Sequence, residues 1–234
     1  MRFQIKPFNI LAIAGLCSAP FLAGAAGAGT ILSTDFTGRT VSGTTASDIT
    51  WVTDGVSDPG NVSVTNSILA SGSGNLFTTS DADGHFAVAN NTHNGGVWYA
   101  SINISVLGDD IELTDVDLDY SNFNGSGNLQ PDGTVRPVRY TVDVIGSSSG
   151  SIGSAFADGG DGVQESIDIV FASTLTLTNA ETYELRVTAE RVPSTPAGNN
   201  TGIDAITFNG QVVPEPSSLA LLGLGGLMIY RRRR

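Results

Sequence analysis

An all-β fold, an antiparallel β-sandwich, is what this 234-residue sequence predicts, and three observations predict it. Apolar residues recur at every second position over short segments. Clusters of Gly, Ser, Asn and Asp separate those segments. Between residues 29 and 213 no amphipathic helical period survives more than about two turns. The clearest strands carry Val116, Leu118 and Tyr120; Val138, Tyr140, Val142 and Val144; Ile167, Ile169 and Phe171; and Tyr183, Leu185, Val187 and Ala189. Between them, facing the other way, stand Asp115, Asp117, Asp119, Thr141, Asp143, Asp168, Glu184, Arg186 and Glu190. One dry and one wet face per strand is the pattern of antiparallel sheets packed face to face. Residues 49–52, 62–69, 97–106, 175–177 and 203–208 read as further strands, for roughly nine to twelve in all. Asp83-Gly84, Pro131-Asp132-Gly133, Asp161-Gly162 and Asn209-Gly210 supply turns.

Composition narrows the function classes. The 29 Gly follow no three-residue period, which excludes a collagen-like chain, and 15% charged residues are too few for a long coiled coil. Charge is partitioned along the sequence. Residues 29–213 hold five Arg, no Lys and 22 carboxylates, a net charge of −17, whereas both ends are basic. A body this acidic cannot neutralise phosphates, so nucleic-acid binding is excluded.

The ends read as addresses. Residues 1–28 open with Arg2 and Lys6, pass through an apolar stretch and end in Ala23-Gly24-Ala25 and Ala26-Gly27-Ala28. That is the layout of a secretory signal peptide, helical in its apolar segment. Cleavage after Ala25 or Ala28 removes Cys17, the only cysteine, and leaves a body without disulfides. At the other end, residues 214–234 run from Pro214-Glu215-Pro216 through a Gly-rich apolar stretch to Arg231, Arg232, Arg233 and Arg234. The prolines keep the motif extended and exposed, the apolar stretch enters the bilayer as a short helix, and the arginines stay cytoplasmic. Twelve to fourteen apolar residues suit a temporary stop in the membrane better than a permanent span.

This order of features resembles the PEP-CTERM sorting signal of Gram-negative bacteria. The resemblance implies export, an inner-membrane intermediate held by the C-terminal helix, and processing by an exosortase-like enzyme that reads Pro214, Glu215 and Pro216. Delivery to the outer surface or extracellular matrix would follow. Within the body, residues 201–208 resemble the last strand of jelly-roll modules of the lectin and carbohydrate-binding kind. Three segments result: signal peptide 1–28, sandwich 29–213, sorting tail 214–234.

Candidate chemistry in the body is thin. With no body Cys or Lys and only His85 and His93, both in turn-like contexts, there are few ways to build a nucleophile system or a zinc site. No catalytic residue is assigned and no cofactor is required. Asp115, Asp117 and Asp119 lie along one strand face at intervals of roughly 6.6 to 6.8 Å, too wide for one ion. Ca²⁺ needs loops that turn oxygens inward, and the Gly-rich loops carrying Asp81, Asp83 and Asn90, or Asp158 and Asp161, are the places that could supply them. Trp51, Trp98 and Tyr99 are the large rings available to stack on sugars. Trp98 and Tyr99 point to opposite faces of a strand, so one of them belongs to the core. Arg136 and Arg139 are placed to pair with carboxylates.

The leading reading is an exported, non-catalytic structural or adhesive protein. The second is a carbohydrate-binding module that recognises extracellular polysaccharide, with or without Ca²⁺. The third, a secreted polysaccharide hydrolase, needs a pair of carboxylates at catalytic separation, which sequence alone does not place.

Overall fold

The computed structural model describes residues 28–42, 45–47, 49–53, 60–71, 76–78, 87–89, 97–123, 137–159, 165–192 and 200–213. The signal segment, the apolar tail and the helices expected in them lie outside these residues. Among the described residues no helix is long and apolar enough to cross a membrane.

All described elements are strands. In chain order they are β1 (Gly29–Thr34), β2 (Thr40–Ser42), β3 (Thr45–Ser47), β4 (Val52–Thr53), β5 (Val62–Ser71), β6 (Leu76–Thr78) and β7 (Ala87–Ala89). They continue as β8 (Trp98–Val106), β9 (Asp110–Phe123), β10 (Val138–Gly146), β11 (Gly150–Asp158), β12 (Glu165–Leu177), β13 (Thr182–Arg191) and β14 (Asn200–Val213). They form two seven-stranded antiparallel sheets. The first runs β12-β9-β14-β1-β4, with β7 also pairing β14 and β6 pairing β7. The second runs β11-β10-β13-β8-β5-β3-β2. The sandwich expected from the alternation is therefore the fold. Residues 175–177, expected as a separate strand, continue β12, and residue 52 belongs to the short β4, whereas 49–51 are not strand.

Alternation does the folding work. Val138, Tyr140, Val142 and Val144 of β10 are all 0% exposed, and they meet Val116, Leu118, Ile206 and Phe208 of the first sheet in one apolar core. Burial of these side chains is the dominant favourable term, about 1.5–3 kcal/mol for each large one. At one end of the core Tyr120 and Tyr140, one from each sheet, stack at 5.1 Å with a 49° tilt. Their hydroxyls are satisfied by Glu165 and by Thr201 Oγ1 at 2.6 Å.

The opposite end gathers three turns: β8–β9, β10–β11 and β12–β13. Gly150, at φ +74°, closes the three-residue β10–β11 hairpin in a conformation that glycine adopts without strain. Glu181, in the β12–β13 turn, reaches across to this hairpin. Its Oε1 accepts the backbone N–H groups of Ser148 and Ser149 at 2.8 and 2.9 Å and the Ser149 hydroxyl at 2.9 Å, and Tyr183 donates its hydroxyl to Oε2. These donors, the Ser148 amide foremost, hold the Glu181 carboxyl down from its ordinary 4.5 to about 2. A carboxylate with a lowered pKa stabilises the fold fully above 4.5 and loses that contribution as pH falls towards 2. The stability difference between the native chain and Glu181→Gln is therefore expected to be constant near neutrality and to shrink from pH 4.5 down to about 2. Urea unfolding midpoints across that range measure it; a pH-independent difference would remove Glu181 as the clamp.

Candidate functional site

The outward face of the second sheet assembles the most varied chemistry on the molecule. Cross-strand register places Arg139 opposite Glu190, Thr141 opposite Thr188, and Asp143 opposite Arg186 on β10 and β13. It also places Thr188 opposite Tyr99 and Arg186 opposite Ser101 on β13 and β8, and Phe156 opposite Thr141 on β11. Directly opposed residues share a face, so these side chains form one polar field with an aromatic ring towards each flank.

Each ring carries an arginine. The Arg186 guanidinium lies 5.1 Å from the Tyr99 ring centroid, and that of Arg139 lies 4.3 Å from the Phe156 centroid. Both are cation–π contacts, and both arginines are pinned from the side. Glu184 Oε1 accepts Arg186 Nε at 2.8 Å and the Ser101 hydroxyl at 2.7 Å. Arg139 binds Asp158 in bidentate fashion, Nε to Oδ1 at 2.7 Å and Nη2 to Oδ2 at 3.0 Å. The Asp158 bonds push the Arg139 pKa up and keep the guanidinium charged. Phe156 is 60% exposed, so one side of its ring is open to solvent beside Arg139. Next to Glu184, at the turn end of the same face, a depression of about 190 Å³ is lined by Asn103, Ile145, Gly146, Thr182, Tyr183 and Glu184.

The residues singled out from sequence fall in different places. Trp98 is 0% exposed and Tyr99 half-buried on the outer face, so Trp98 is the core member of the pair. Trp51 is half-buried, with its ring 6.3 Å from that of Phe208, and packs against the core. Asp158 lies at the end of β11 in its pair with Arg139, the kind of pairing expected of the body arginines. Asp81, Asp83, Asn90, Asp161, His85, His93, Arg136, the Pro214-Glu215-Pro216 motif and Arg231 to Arg234 lie outside the described residues.

Sequence reasoning missed one juxtaposition. The spacing along β9, expected to keep its carboxylates apart, does not: the side chains of Asp115 and Asp117 converge, and β12 brings Asp168 directly opposite Asp117. Oxygens of Asp115, Asp117 and Asp168 then lie within 4.8 Å of one another. Asn209 on β14 donates its amide to Asp115 and Asp117 at 2.7 and 2.8 Å. Desolvation, and then the charges of Asp115 and Asp117, push the Asp168 carboxyl up. Asp119 is not in this group; it accepts a hydrogen bond from Ser166. Also missed was Phe156, because the Gly- and Ser-rich segment of β11 gives no alternating apolar signal.

No curated protein matches this sequence. Several solved structures are similar to the chain. A carbohydrate-binding module solved with β-1,4-galactotriose is 11% identical, with a TM-score of 0.35, covering 74% of this chain and 88% of that one. The family 11 module of a cellulosomal cellulase from Clostridium thermocellum is 13% identical, with a TM-score of 0.36, covering 65% and 91%. An arabinose-bound α-L-arabinofuranosidase is 9% identical, with a TM-score of 0.39, and the match spans 77% of this chain but 27% of that enzyme. At these scores the likeness assigns no ligand. Residues 212–234 match the PEP-CTERM protein-sorting motif, so the chain is an exported protein, sorted to the cell envelope and processed by an exosortase-like enzyme.

Proposed function

We propose that the body is a non-catalytic adhesive protein of the outer surface or extracellular matrix of a Gram-negative bacterium, and that it holds extracellular polysaccharide on the outward face of its second sheet. The observation that carries this reading is the field bounded by the Tyr99–Arg186 and Phe156–Arg139 pairs. Aromatic rings offer flat apolar area to the C–H faces of sugars, and the fixed arginines, carboxylates and hydroxyls between them offer hydrogen bonds to sugar hydroxyls. Because β-strands and ion pairs already fix these side chains, little ordering cost remains on binding. Glu184 and Asp158 are each engaged by an arginine, which suits holding a ligand better than transferring a proton. The acidic face of the first sheet keeps the body hydrated and soluble.

The test is binding to a panel of bacterial and algal polysaccharides, with Ca²⁺ or with chelator. The native body is expected to bind at least one of them. Tyr99→Ala should weaken that binding about tenfold without unfolding the body, since one stacked ring is worth roughly 1–2 kcal/mol. Binding that depends on Ca²⁺ would give Asp81, Asp83 and Asp161 a metal-holding role, whereas Asp158, expected as a loop ligand, is a strand residue with both oxygens engaged by Arg139. No binding to any polymer would sink the adhesive reading and favour a purely structural matrix protein.

A further inference from the structure

Register rules the outward face of the second sheet into rows that run across its strands. Tyr99 on β8 faces Thr188 on β13, Thr188 faces Thr141 on β10, and Thr141 faces Phe156 on β11. This row has a ring at each end, two threonines between them and no charge. Both neighbouring rows are charged. On one side stand Ser101, Arg186, Asp143 and Ser154, and on the other Glu190, Arg139 and Asp158. Adjacent strands lie about 4.8 Å apart, so three spacings put the two rings about 14 Å from each other.

The rows decide the direction in which a ligand can lie. Along β13, Arg186 and Glu190 flank Thr188, and along β10, Arg139 and Asp143 flank Thr141. A chain following a strand would strip water from ionised groups, which is costly unless each is fully paired again. A chain crossing the strands on the uncharged row meets only rings and hydroxyls. Charge also decides the class of ligand. Two arginines face four carboxylates, Asp143, Asp158, Glu184 and Glu190, and each arginine already holds one of them. An anionic polymer would be repelled by the excess.

We propose that the ligand is an uncharged polysaccharide lying across the strands along Tyr99, Thr188, Thr141 and Phe156. The two rings stack on sugar units at the ends of the bound stretch, and the threonine hydroxyls bond to the units between. The inference rests on the adhesive reading above and adds to it the charge, direction and minimum length of the ligand.

The test is binding of the full chain to neutral polymers (xylan, mannan, β-glucan, agarose) and to anionic ones (alginate, polygalacturonate, carrageenan). A neutral polymer is expected to bind most tightly. An anionic polymer bound as tightly as every neutral one would overturn the proposal and leave the adhesive reading standing. With oligosaccharides cut from the bound polymer, affinity should climb with length until the chain spans about 14 Å and then level off. A single sugar unit bound as tightly as the polymer would overturn it. Phe156→Ala removes an exposed side chain and leaves the core intact. It should weaken binding about tenfold, and together with Tyr99→Ala about a hundredfold. Binding unchanged in Phe156→Ala would place the ligand elsewhere and overturn the row. If no polymer binds, the adhesive reading itself falls, and the row with it.

Discussion

Trp98→Ala is expected to cost the body about 4 kcal/mol, towards the upper end for a single core truncation. The indole is 0% exposed. Its inward-facing neighbours on its own sheet are small: Ala189 directly across on β13 and Ala100 two residues along β8. Neither can move into the vacated space, so the loss of apolar burial is joined by a cavity term. In a domain of this size the melting temperature should fall by on the order of 10 °C. Trp98→Phe separates ring volume from polarity. The indole Nε1 is buried without a hydrogen-bond partner among the described residues, and losing such a donor offsets some of the lost area. The Phe variant should therefore cost less than about 2 kcal/mol. Urea unfolding of both variants measures the pair. A loss of about 3 kcal/mol in the Phe variant, too much for the small decrease in ring area, would mean that the indole N–H is satisfied after all.

Gly210→Ala should be almost as damaging, by the opposite physics. A Cβ at this position would lie 2.0 Å from the carbonyl oxygen of Glu112, 3.0 Å from its carbonyl carbon and 3.1 Å from Leu113 Cα. All three are backbone atoms of β9, so no side chain can swing away. The crowding comes from a step in register at Thr114, where β9 carries an extra residue: Asn209 faces Asp115, whereas Gly210 faces Leu113. Bulges of this kind draw the strands into a local twist that leaves no room for a side chain. The alanine variant must force β9 and β14 apart in the middle of their sheet, at a cost of about 2–3 kcal/mol. Hydrogen exchange should show the loss concentrated in β9 and β14; protection unchanged in both strands would contradict the close approach.

What could be read in the sequence depended on whether a local pattern carried the information. β10 and β13 were legible because each buries one face completely, so Val138 to Val144 and Tyr183 to Ala189 alternate without a break. β11 was not. Its Gly, Ser and Ala residues have little strand preference, and its pairing with β10 holds it in place. The alternation of Trp98 and Tyr99 required that one ring be inside, but which one followed from packing. Asp168 meets Asp115 and Asp117 through register between strands about 50 residues apart, a relation that spacing along one strand does not contain. The polar field around Tyr99 and Phe156 is likewise a product of four strands lying side by side.

β14 is the last of the described strands and lies in the middle of the first sheet, between β9 and β1. Until it arrives, β1 and β9 have no common partner and that sheet cannot close. During export the residues of β14 emerge after all the other described strands, so the sandwich can be completed only when translocation of the body is nearly finished. The chain thus crosses the membrane as an unfinished domain, and its folding can be completed only on the far side.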